Sequence, residues 1–367
     1  MKKVAIIGTV GVPAAYGGFE TLAENLVLEN ERLGNLYKMV VYCSAPAYRD
    51  RVTEFHGAET RYVPFKANGV QSIPFDILSI LFALRDGCDT LLLLGHSGAF
   101  ALPALRLVPS VRVITNIDGT EWKRAKWGRL VRWLLRRTEA MAVRHSDVVV
   151  TDNAAIQNYV SKTFGRESEM IAYGGDHALV ADPPKSTESG IPPVPQGYAF
   201  CLCRIEPENN LHMILEAFAS TPDWPLVAVG NWDASGYGRD LRARYAGAAT
   251  ITLLDPIYDI ATLYALRSNA SLYVHGHSAG GTNPSLVEMM HFGTASLTYD
   301  CVFNRNTTED GALYFSSAKD LRSHLDRFDA VSADAMGKHL QQIAKRRYTW
   351  ATVARAYFDL FDQSDPP

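Results

Sequence analysis

The sequence opens with the short apolar run Val4-Ala5-Ile6-Ile7-Gly8, which stops at a glycine and is followed by a helical pattern over Phe19–Arg32. Continuous apolar runs separated by helical patterns are typical of parallel strands that helices cover on both faces. Four further runs continue this alternation: Lys38–Cys43, Thr90–Leu94, Val111–Thr115 and Asp147–Thr151. The first half of the chain therefore predicts an α/β, doubly wound parallel sheet.

A second alternating series follows a proline-rich segment. Residues 183–195 contain five of the 18 prolines and have no helical period, which indicates a linker. The later strand candidates are Ala199–Cys203, Leu226–Gly230, Thr250–Leu254, Ala270–Val274 and Ala295–Thr298. We therefore predict a domain at 1–180, a linker at 181–197 and a second domain at 198–348, with a ligand site at the carboxyl ends of the strands.

Length and composition agree with two folded domains. The chain has 367 residues, and its 36 Lys+Arg against 39 Asp+Glu give a net charge of −3. This balance and the 47% of hydrophobic residues exclude a disordered chain and give no overall attraction to nucleic acid. Five cysteines do not suggest a disulfide framework, and no apolar run is long enough to span a membrane. We expect a cytoplasmic protein.

The glycine-rich loop after the first strand reads Gly8-Thr9-Val10-Gly11-Val12-Pro13-Ala14-Ala15-Tyr16-Gly17-Gly18. Such a loop can bring backbone N–H groups close to a phosphate or a sugar. It matches neither the dinucleotide fingerprint nor the P-loop, so a simple flexible turn remains an equal alternative.

Two carboxylates, Asp118 and Glu121, follow the predicted strand Val111–Thr115. They would lie at the carboxyl end of that strand, where open parallel sheets bind their ligands. They can orient hydroxyls or accept a proton. The alternative is an ordinary Asp-Gly turn with an acid at a helix start.

A basic segment with interleaved tryptophans spans residues 122–144. Its eight cations are Lys123, Arg124, Lys126, Arg129, Arg132, Arg136, Arg137 and Arg144. A basic amphipathic helix of this kind suits an anionic membrane surface or a lipid pyrophosphate. A solvated helix whose apolar stripe packs in the core is the alternative, and no nucleic-acid-binding motif accompanies the segment.

The second half carries two polar strand-to-helix loops. Arg204, at the end of one strand, can bind a diphosphate bidentately. The other loop reads His275-Gly276-His277-Ser278-Ala279-Gly280-Gly281-Thr282-Asn283-Pro284-Ser285-Leu286-Val287-Glu288. Its glycines allow backbone amides to approach a phosphate or sugar, and Glu288 can accept hydrogen bonds from vicinal hydroxyls. The two histidines have no zinc-ligand spacing and fit core or site-lining roles.

These motifs resemble glycosyltransferase family 4, the retaining GT-B enzymes, and within it the bacterial rhamnosyltransferases that build surface polysaccharides. The resemblance to the family rests on Arg204–Asn210 and Gly280–Glu288, and the resemblance to the subgroup rests on Ala15–Thr21, Asp118–Arg124 and Gly280–Ser285. It implies two Rossmann-like domains that face a central cleft, with a C-terminal helix, 349–367, that crosses back to the first domain.

The resemblance also implies roles for individual residues. Arg204 would hold the donor diphosphate, and Glu288 the ribose hydroxyls, while Ile257 and Tyr258 would hold the base. The other donor-binding residues would be Asn209, Gly280, Gly281, Thr282, Asn283, Pro284 and Ser285. The acceptor side would use Tyr16, Gly17, Gly18, Lys123 and Arg124, and catalysis would involve Asp118, Glu121 and Arg204.

Three positions depart from the family pattern. Gly280 replaces the first acid of the E-x7-E motif, Asn209 and Asn210 stand where a phosphate-binding lysine is common, and Asp118 stands where many members have a histidine. A 6-deoxy sugar needs no partner for a 6-hydroxyl, which agrees with the first and third changes and favours rhamnose.

The sequence as a whole therefore predicts a transferase that moves L-rhamnose from dTDP-rhamnose to a lipid-pyrophosphate-linked saccharide at the inner face of the cell membrane. We expect no cofactor and no metal requirement, because the chain has no Asp-x-Asp motif. The alternatives are transfer from a UDP- or GDP-sugar, a nucleotide-sugar epimerase or hydrolase with the same fold, and a non-catalytic scaffold that binds a nucleotide sugar or a membrane.

Overall fold

The computed structural model describes residues 1–14, 17–108, 110–117, 119, 122, 128–179 and 194–363. The chain divides into an N-terminal unit, Met1–Tyr173 with Trp350–Pro367, and a C-terminal unit, Gly174–Thr349. Most of the predicted linker, residues 181–193, lies outside the described residues.

Strands and helices alternate along the N-terminal unit, as the apolar runs of the sequence predict. Its elements are β1 Lys3–Ile7, α1 Gly18–Arg32, β2 Lys38–Ser44, β3 Glu54–Phe55, β4 Ala58–Val63, α2 Ser72–Arg85, β5 Thr90–Leu94, α3 Leu102–Leu105, β6 Arg112–Asn116, α4 Arg129–His145, β7 Val148–Thr151, α5 Ala154–Phe164 and β8 Glu169–Met170.

One sheet with the strand order β3-β4-β2-β1-β5-β6-β7-β8 forms this unit's centre among the described residues. All neighbouring strands are parallel except the pair β3 and β4. Val4 to Ile7 have no exposed surface, since helices cover both faces of β1. The order reverses between β1 and β5, so the crevice of this sheet opens at the carboxyl ends of those two strands.

The final helix, α13 (Trp350–Asp362), belongs to the N-terminal unit. Its rings Phe358 and Phe361 lie 5.2 and 5.3 Å from the ring of Tyr37. Asn116 at the end of β6 donates a hydrogen bond to the Tyr357 hydroxyl at 2.8 Å. The helix therefore completes the core of the first domain, as predicted.

The C-terminal unit repeats the alternation with shorter strands. Its elements are β9 Ala199–Leu202, α6 Leu211–Ala219, β10 Leu226–Val229, α7 Gly236–Tyr245, β11 Ile251–Leu254, α8 Ile260–Ser268, β12 Leu272–His275, α9 Pro284–Met290, β13 Ser296–Tyr299, α10 Val302–Thr308, β14 Leu313–Phe315, α11 Ala318–Asp326 and α12 Ala330–Arg347.

Its described strands form a parallel sheet in the order β11-β10-β9-β12-β13-β14. The order reverses between β9 and β12, which places a ligand crevice at the carboxyl ends of these two strands. Both units are thus Rossmann-like doubly wound domains, which confirms that part of the predicted fold class.

The sequence missed the short strands β3, β4, β8 and β14. β4 carries Glu59 and Arg61 among its apolar residues, and β3 and β8 have only two residues each, so none of these three forms a recognisable apolar run. The apolar run of β14 has only three residues, Leu313–Phe315. Among the described residues, no helix combines the length and the hydropathy that a membrane span requires.

Candidate functional site

The polar loops after β9 and β12 meet at the crevice of the C-terminal sheet. Residues 203–210 follow β9, and residues 276–283 follow β12 and lead into α9. The backbone of Ser278 and its hydroxyl both donate to the Glu208 carbonyl, at 2.9 and 2.8 Å. Asn210 donates from its side-chain amide to the Gly276 carbonyl at 2.9 Å. The two loops are therefore joined into one structure.

Gly276 is required by this close approach. A Cβ at this position would collide with the Asn209 carbonyl. Asn210 adopts a left-handed φ of 50°, a conformation that asparagine tolerates better than most residues, and its own side chain is buried. The loop sequence is thus determined by the contact between neighbouring strands as much as by any ligand.

Arg204 and Asn209, which are both predicted to bind the nucleotide-sugar donor, occupy different environments. The Arg204 side chain is exposed at the end of β9, where it is accessible to a soluble diphosphate. Asn209 is buried, and its amide donates to the Arg204 carbonyl at 2.6 Å. Its side-chain oxygen Oδ1 lies 2.8 Å from His277 Nδ1. Asn209 therefore connects the loop after β9 with the loop after β12 from the buried side.

The glycine loop before α9 contains four residues in a row that are predicted to bind the nucleotide-sugar donor, Gly280 to Asn283, and the next two, Pro284 and Ser285, begin the helix. Gly280 has a φ of +119°, which favours glycine, and Gly281 and Thr282 are buried beside it. Asn283 caps α9, because its side-chain oxygen accepts the Ser285 N–H at 3.0 Å. Pro284 has no N–H to donate. The first two residues of α9 therefore have no backbone N–H free for a ligand. The backbone of residues 280–282, before the helix, is a better candidate for a ligand contact than the start of the helix.

Glu288, the predicted ribose ligand, is held by an arginine and a histidine. Its carboxylate forms an ion pair with the buried guanidinium of Arg267 on α8, and His177 Nε2 lies 3.4 Å from its other oxygen. Burial raises the pKa of Glu288, but the charges and hydrogen bonds of Arg267 and His177 outweigh it, and the pKa is lowered overall. The carboxylate is therefore ionised and fixed in place before any ligand arrives.

Ile257 and Tyr258, the predicted base contacts, lie in the loop after β11. β11 is the outermost strand on the β9 side of the switch point. Because the strands are parallel, the loop after β11 lies at the same end of the sheet as the loops after β9 and β12. Ile257 is half-buried, and Tyr258 is 60% exposed. An exposed aromatic ring beside the loops of the crevice is a suitable surface for stacking a base.

In the N-terminal unit, two carboxylates hold the glycine-rich loop after β1. Glu20 accepts the Val10 N–H at 2.9 Å, and Glu24 accepts the Ala14 N–H at 2.6 Å. Burial raises the pKa of Glu20 despite these bonds. A Cβ on Gly17 would collide with the Glu20 carboxylate. The loop is therefore tied to its own helix rather than freely flexible, and these two amides are already engaged by acids instead of facing a phosphate.

Several predicted residues of this unit lie outside the described residues: Tyr16, Asp118, Glu121, Lys123 and Arg124. Gly18 starts α1 directly after Gly17, at the carboxyl end of β1.

Sequence reasoning missed the loop after β5, which shares the N-terminal crevice with the loop after β1. His96 is buried in it, and its Nδ1 lies 2.9 Å from the Thr138 hydroxyl of α4. The signal was the glycine-flanked pair His96-Ser97 directly after a predicted strand. Arg267 and His177 gave no comparable signal, since only the fold brings them to Glu288.

The basic helix α4 exposes apolar and cationic groups along its first turns. Leu130 is 77% exposed and Trp133 55% exposed, and the guanidinium of Arg136 lies 3.8 Å from the ring centroid of Trp122. Its buried residues, Thr138, Glu139, Ala142 and Val143, all lie in its second half. The alternative in which the whole apolar stripe of this helix packs in the core is therefore wrong for Leu130 and Trp133.

Comparisons with known sequences give one family match. Residues 1–176 match a family described as "Domain of unknown function (DUF1972)". No curated protein matches this sequence significantly.

Solved structures match over nearly the whole chain. Sucrose-phosphate synthase from Thermosynechococcus elongatus superimposes with a TM-score of 0.81 at 15% identity, covering 98% of both chains. The catalytic domain of starch synthase IV from Arabidopsis thaliana, bound to ADP and acarbose, gives 0.73 at 13% identity and 98% of both chains. Anabaena HepE in complex with UDP gives 0.70 at 13% identity, over 98% of this chain and 99% of that chain. The chain thus has the GT-B fold.

The buried ion pair makes a prediction for stability. Replacing Glu288 by Gln should lower the free energy of unfolding by about 3–5 kcal/mol at pH 7, because the Arg267 cation stays buried without its anion. A carboxylate with a lowered folded pKa stabilises fully above its ordinary pKa of 4.5, and the contribution is lost as the pH falls through the folded value. The difference between wild type and variant should therefore shrink below pH 4.5.

Urea denaturation at several pH values measures this difference. Glu216→Gln, on a helix of the same unit, is the control and should stay within about 0.5 kcal/mol of wild type. Equal stability of wild type and Glu288→Gln at pH 7 would contradict the assignment of a stabilising ion pair.

Proposed function

We propose that this protein is a retaining glycosyltransferase that uses a nucleoside-diphosphate sugar. The observation that carries the proposal is the crevice between β9 and β12, where exposed Arg204 and the backbone of 280–282 belong to two joined loops and ionised Glu288 lies in α9, directly after the second loop. A cation, backbone amides and a carboxylate suit a diphosphate, a sugar and ribose hydroxyls respectively. The GT-B neighbours bound to UDP or ADP support a nucleotide donor.

The proposed reaction follows a front-side course. The bond between the sugar's anomeric carbon and the diphosphate breaks, and the acceptor hydroxyl forms its bond to the same face of that carbon. The acceptor proton passes to an oxygen of the leaving diphosphate. Arg204 and the loop amides stabilise the charge that develops there, which is an electrostatic form of catalysis. Asp118 orients the donor sugar or the acceptor hydroxyl, with Glu121 nearby in sequence.

The donor we propose is dTDP-L-rhamnose, because Ala15–Thr21, Asp118–Arg124 and Gly280–Ser285 resemble motifs of bacterial rhamnosyltransferases. Gly280 supports a 6-deoxy sugar, since glycine offers no side-chain partner for a further hydroxyl. The proposal includes no metal requirement, and complete loss of transfer in EDTA would contradict that part of it.

The acceptor we propose is a lipid-pyrophosphate-linked saccharide at the inner face of the cell membrane. Exposed Leu130 and Trp133 can insert among lipid headgroups while the neighbouring arginines pair with anionic phosphates. We assign acceptor recognition to the N-terminal unit, around Gly17 and Gly18 and residues 123–124. The protein would then be cytoplasmic and peripherally bound to the membrane.

Ligand-induced stabilisation tests the donor. A ligand that binds only the native state raises the melting temperature as its concentration exceeds its dissociation constant. At 100 times that constant, dTDP and dTDP-rhamnose should stabilise the protein by about 2.7 kcal/mol, while UDP and GDP species should have little effect. Stabilisation by UDP or GDP species alone would contradict rhamnose, and no stabilisation by any nucleotide would contradict the transferase.

The same donor distinguishes the enzyme classes. A transferase should consume dTDP-rhamnose only with an acceptor present. Rapid conversion or hydrolysis of the donor without an acceptor would instead indicate an epimerase or a hydrolase.

Liposome sedimentation tests the membrane contact. Replacing Arg129, Arg132 and Arg136 by Glu should weaken binding to anionic vesicles by about 100-fold or more, because each cation near the surface contributes about 1 kcal/mol. The matched control replaces Lys319, Arg322 and Arg327 by Glu, with the same change in net charge in the other unit. Binding that both triple variants reduce equally, or that neither reduces, would contradict a docking role for α4.

A further inference from the structure

Arg267 is a buried arginine that holds Glu288, the predicted ribose ligand. The Arg267 side chain is 5% exposed, and its guanidinium pairs with one oxygen of the Glu288 carboxylate, while His177 Nε2 lies 3.4 Å from the other oxygen. The Glu288 side chain keeps 13% of its surface exposed. A soluble ligand can therefore reach Glu288 more readily than Arg267, so the arginine can act on a ligand through the carboxylate.

The helix that carries Arg267, α8, is fixed at both of its ends. Asp259 caps its start with a side-chain hydrogen bond. Near its end, Leu266 is buried, and its carbonyl accepts a hydrogen bond from the Tyr198 hydroxyl at 2.6 Å. The guanidinium of Arg267 therefore projects from a fixed backbone, which limits the orientations that the Glu288 carboxylate can adopt.

The same helix connects the predicted base contact with the predicted ribose contact. It starts two residues after Tyr258 and carries Arg267 in its last turn. Through Arg267 it also holds Glu288. Base and ribose are joined by a single bond in a nucleoside, so a common support for their two contacts suits the binding of a nucleoside.

The contacts with Arg267 and His177 leave Glu288 able to bind a ligand. An ionised carboxylate can accept about four hydrogen bonds, and each of these two residues contacts one oxygen. The lowered pKa of Glu288 keeps the carboxylate ionised at neutral pH, and in this form it can only accept. A hydroxyl group is therefore a suitable ligand, whereas a diphosphate oxygen would be repelled.

We propose that Arg267 is a positioning residue for nucleotide recognition, which holds the Glu288 carboxylate in the orientation that accepts a hydroxyl of the donor's ribose. This inference rests on the proposed function. In dTDP the ribose lacks its 2′-hydroxyl, so the group recognised is the 3′-hydroxyl. Because Arg267 acts through Glu288, its effect should depend on the presence of this hydroxyl in the ligand.

A comparison of dTDP with 3′-deoxythymidine diphosphate separates positioning from a general effect on the fold. Calorimetry with wild-type protein should give about tenfold weaker binding of the 3′-deoxy nucleotide, the effect of one lost hydrogen bond to a charged group. In Arg267→Gln this ratio should fall to about twofold or less, because the carboxylate has lost the partner that orients it. The affinity for the 3′-deoxy nucleotide should change little.

Two further variants serve as controls. Arg346→Gln removes an arginine from a surface ion pair with Glu309 in the same unit and should keep the wild-type ratio. Arg267→Lys keeps the buried carboxylate paired with a cation but has no planar guanidinium. It should fold and give a ratio between those of wild type and Arg267→Gln.

An unchanged ratio in Arg267→Gln, the result expected of a purely structural ion pair that weakens both nucleotides alike, would overturn the inference. If Arg267→Gln does not fold, Arg267→Lys decides, and retention of the full wild-type ratio would overturn the inference. Wild-type protein that binds both nucleotides equally would also overturn it while leaving the transferase intact. Wild-type protein that binds neither nucleotide would overturn the proposed function itself.

Discussion

The candidate site depends on one set of contacts, the hydrogen bonds that join the loops after β9 and β12. Ser278 donates twice to the Glu208 carbonyl, and Asn210 donates to the Gly276 carbonyl. These bonds form because two strands far apart in sequence are neighbours at the switch point of a parallel sheet. Without them Arg204 and the glycine loop before α9 would be independent loops with no common geometry.

The two units place opposite chemistry at equivalent edges of similar sheets. In the N-terminal unit, the carboxylates of Glu20 and Glu24 accept hydrogen bonds from backbone N–H groups of the loop after β1. Two acids at this position disfavour the binding of an anion. The C-terminal unit instead presents the exposed side chain of Arg204 at the carboxyl end of β9. This contrast supports our proposal that the donor's diphosphate binds to the C-terminal unit and the saccharide part of the acceptor to the N-terminal unit.

The sequence predicted those parts of the fold that local patterns encode. Apolar runs such as Val4–Gly8 identified the central strands, while β4, with charges at Glu59 and Arg61, has no such pattern. At the site, the order of residues suggested Gly280 and Glu288 but not Arg267, which lies on a separate helix, α8, and pairs with Glu288 only in the folded chain. Asn283 shows a second limit, because a polar residue suited to a ligand also suits a helix cap, and its side chain bonds Ser285.

Amide hydrogen exchange with and without dTDP tests most directly whether the nucleotide binds at the crevice of the C-terminal sheet. The account predicts slower exchange in peptides covering 203–210 and 276–288, with smaller effects around 255–259 and none along α4. Protection confined to the N-terminal unit, or to the far strand β14, would contradict it.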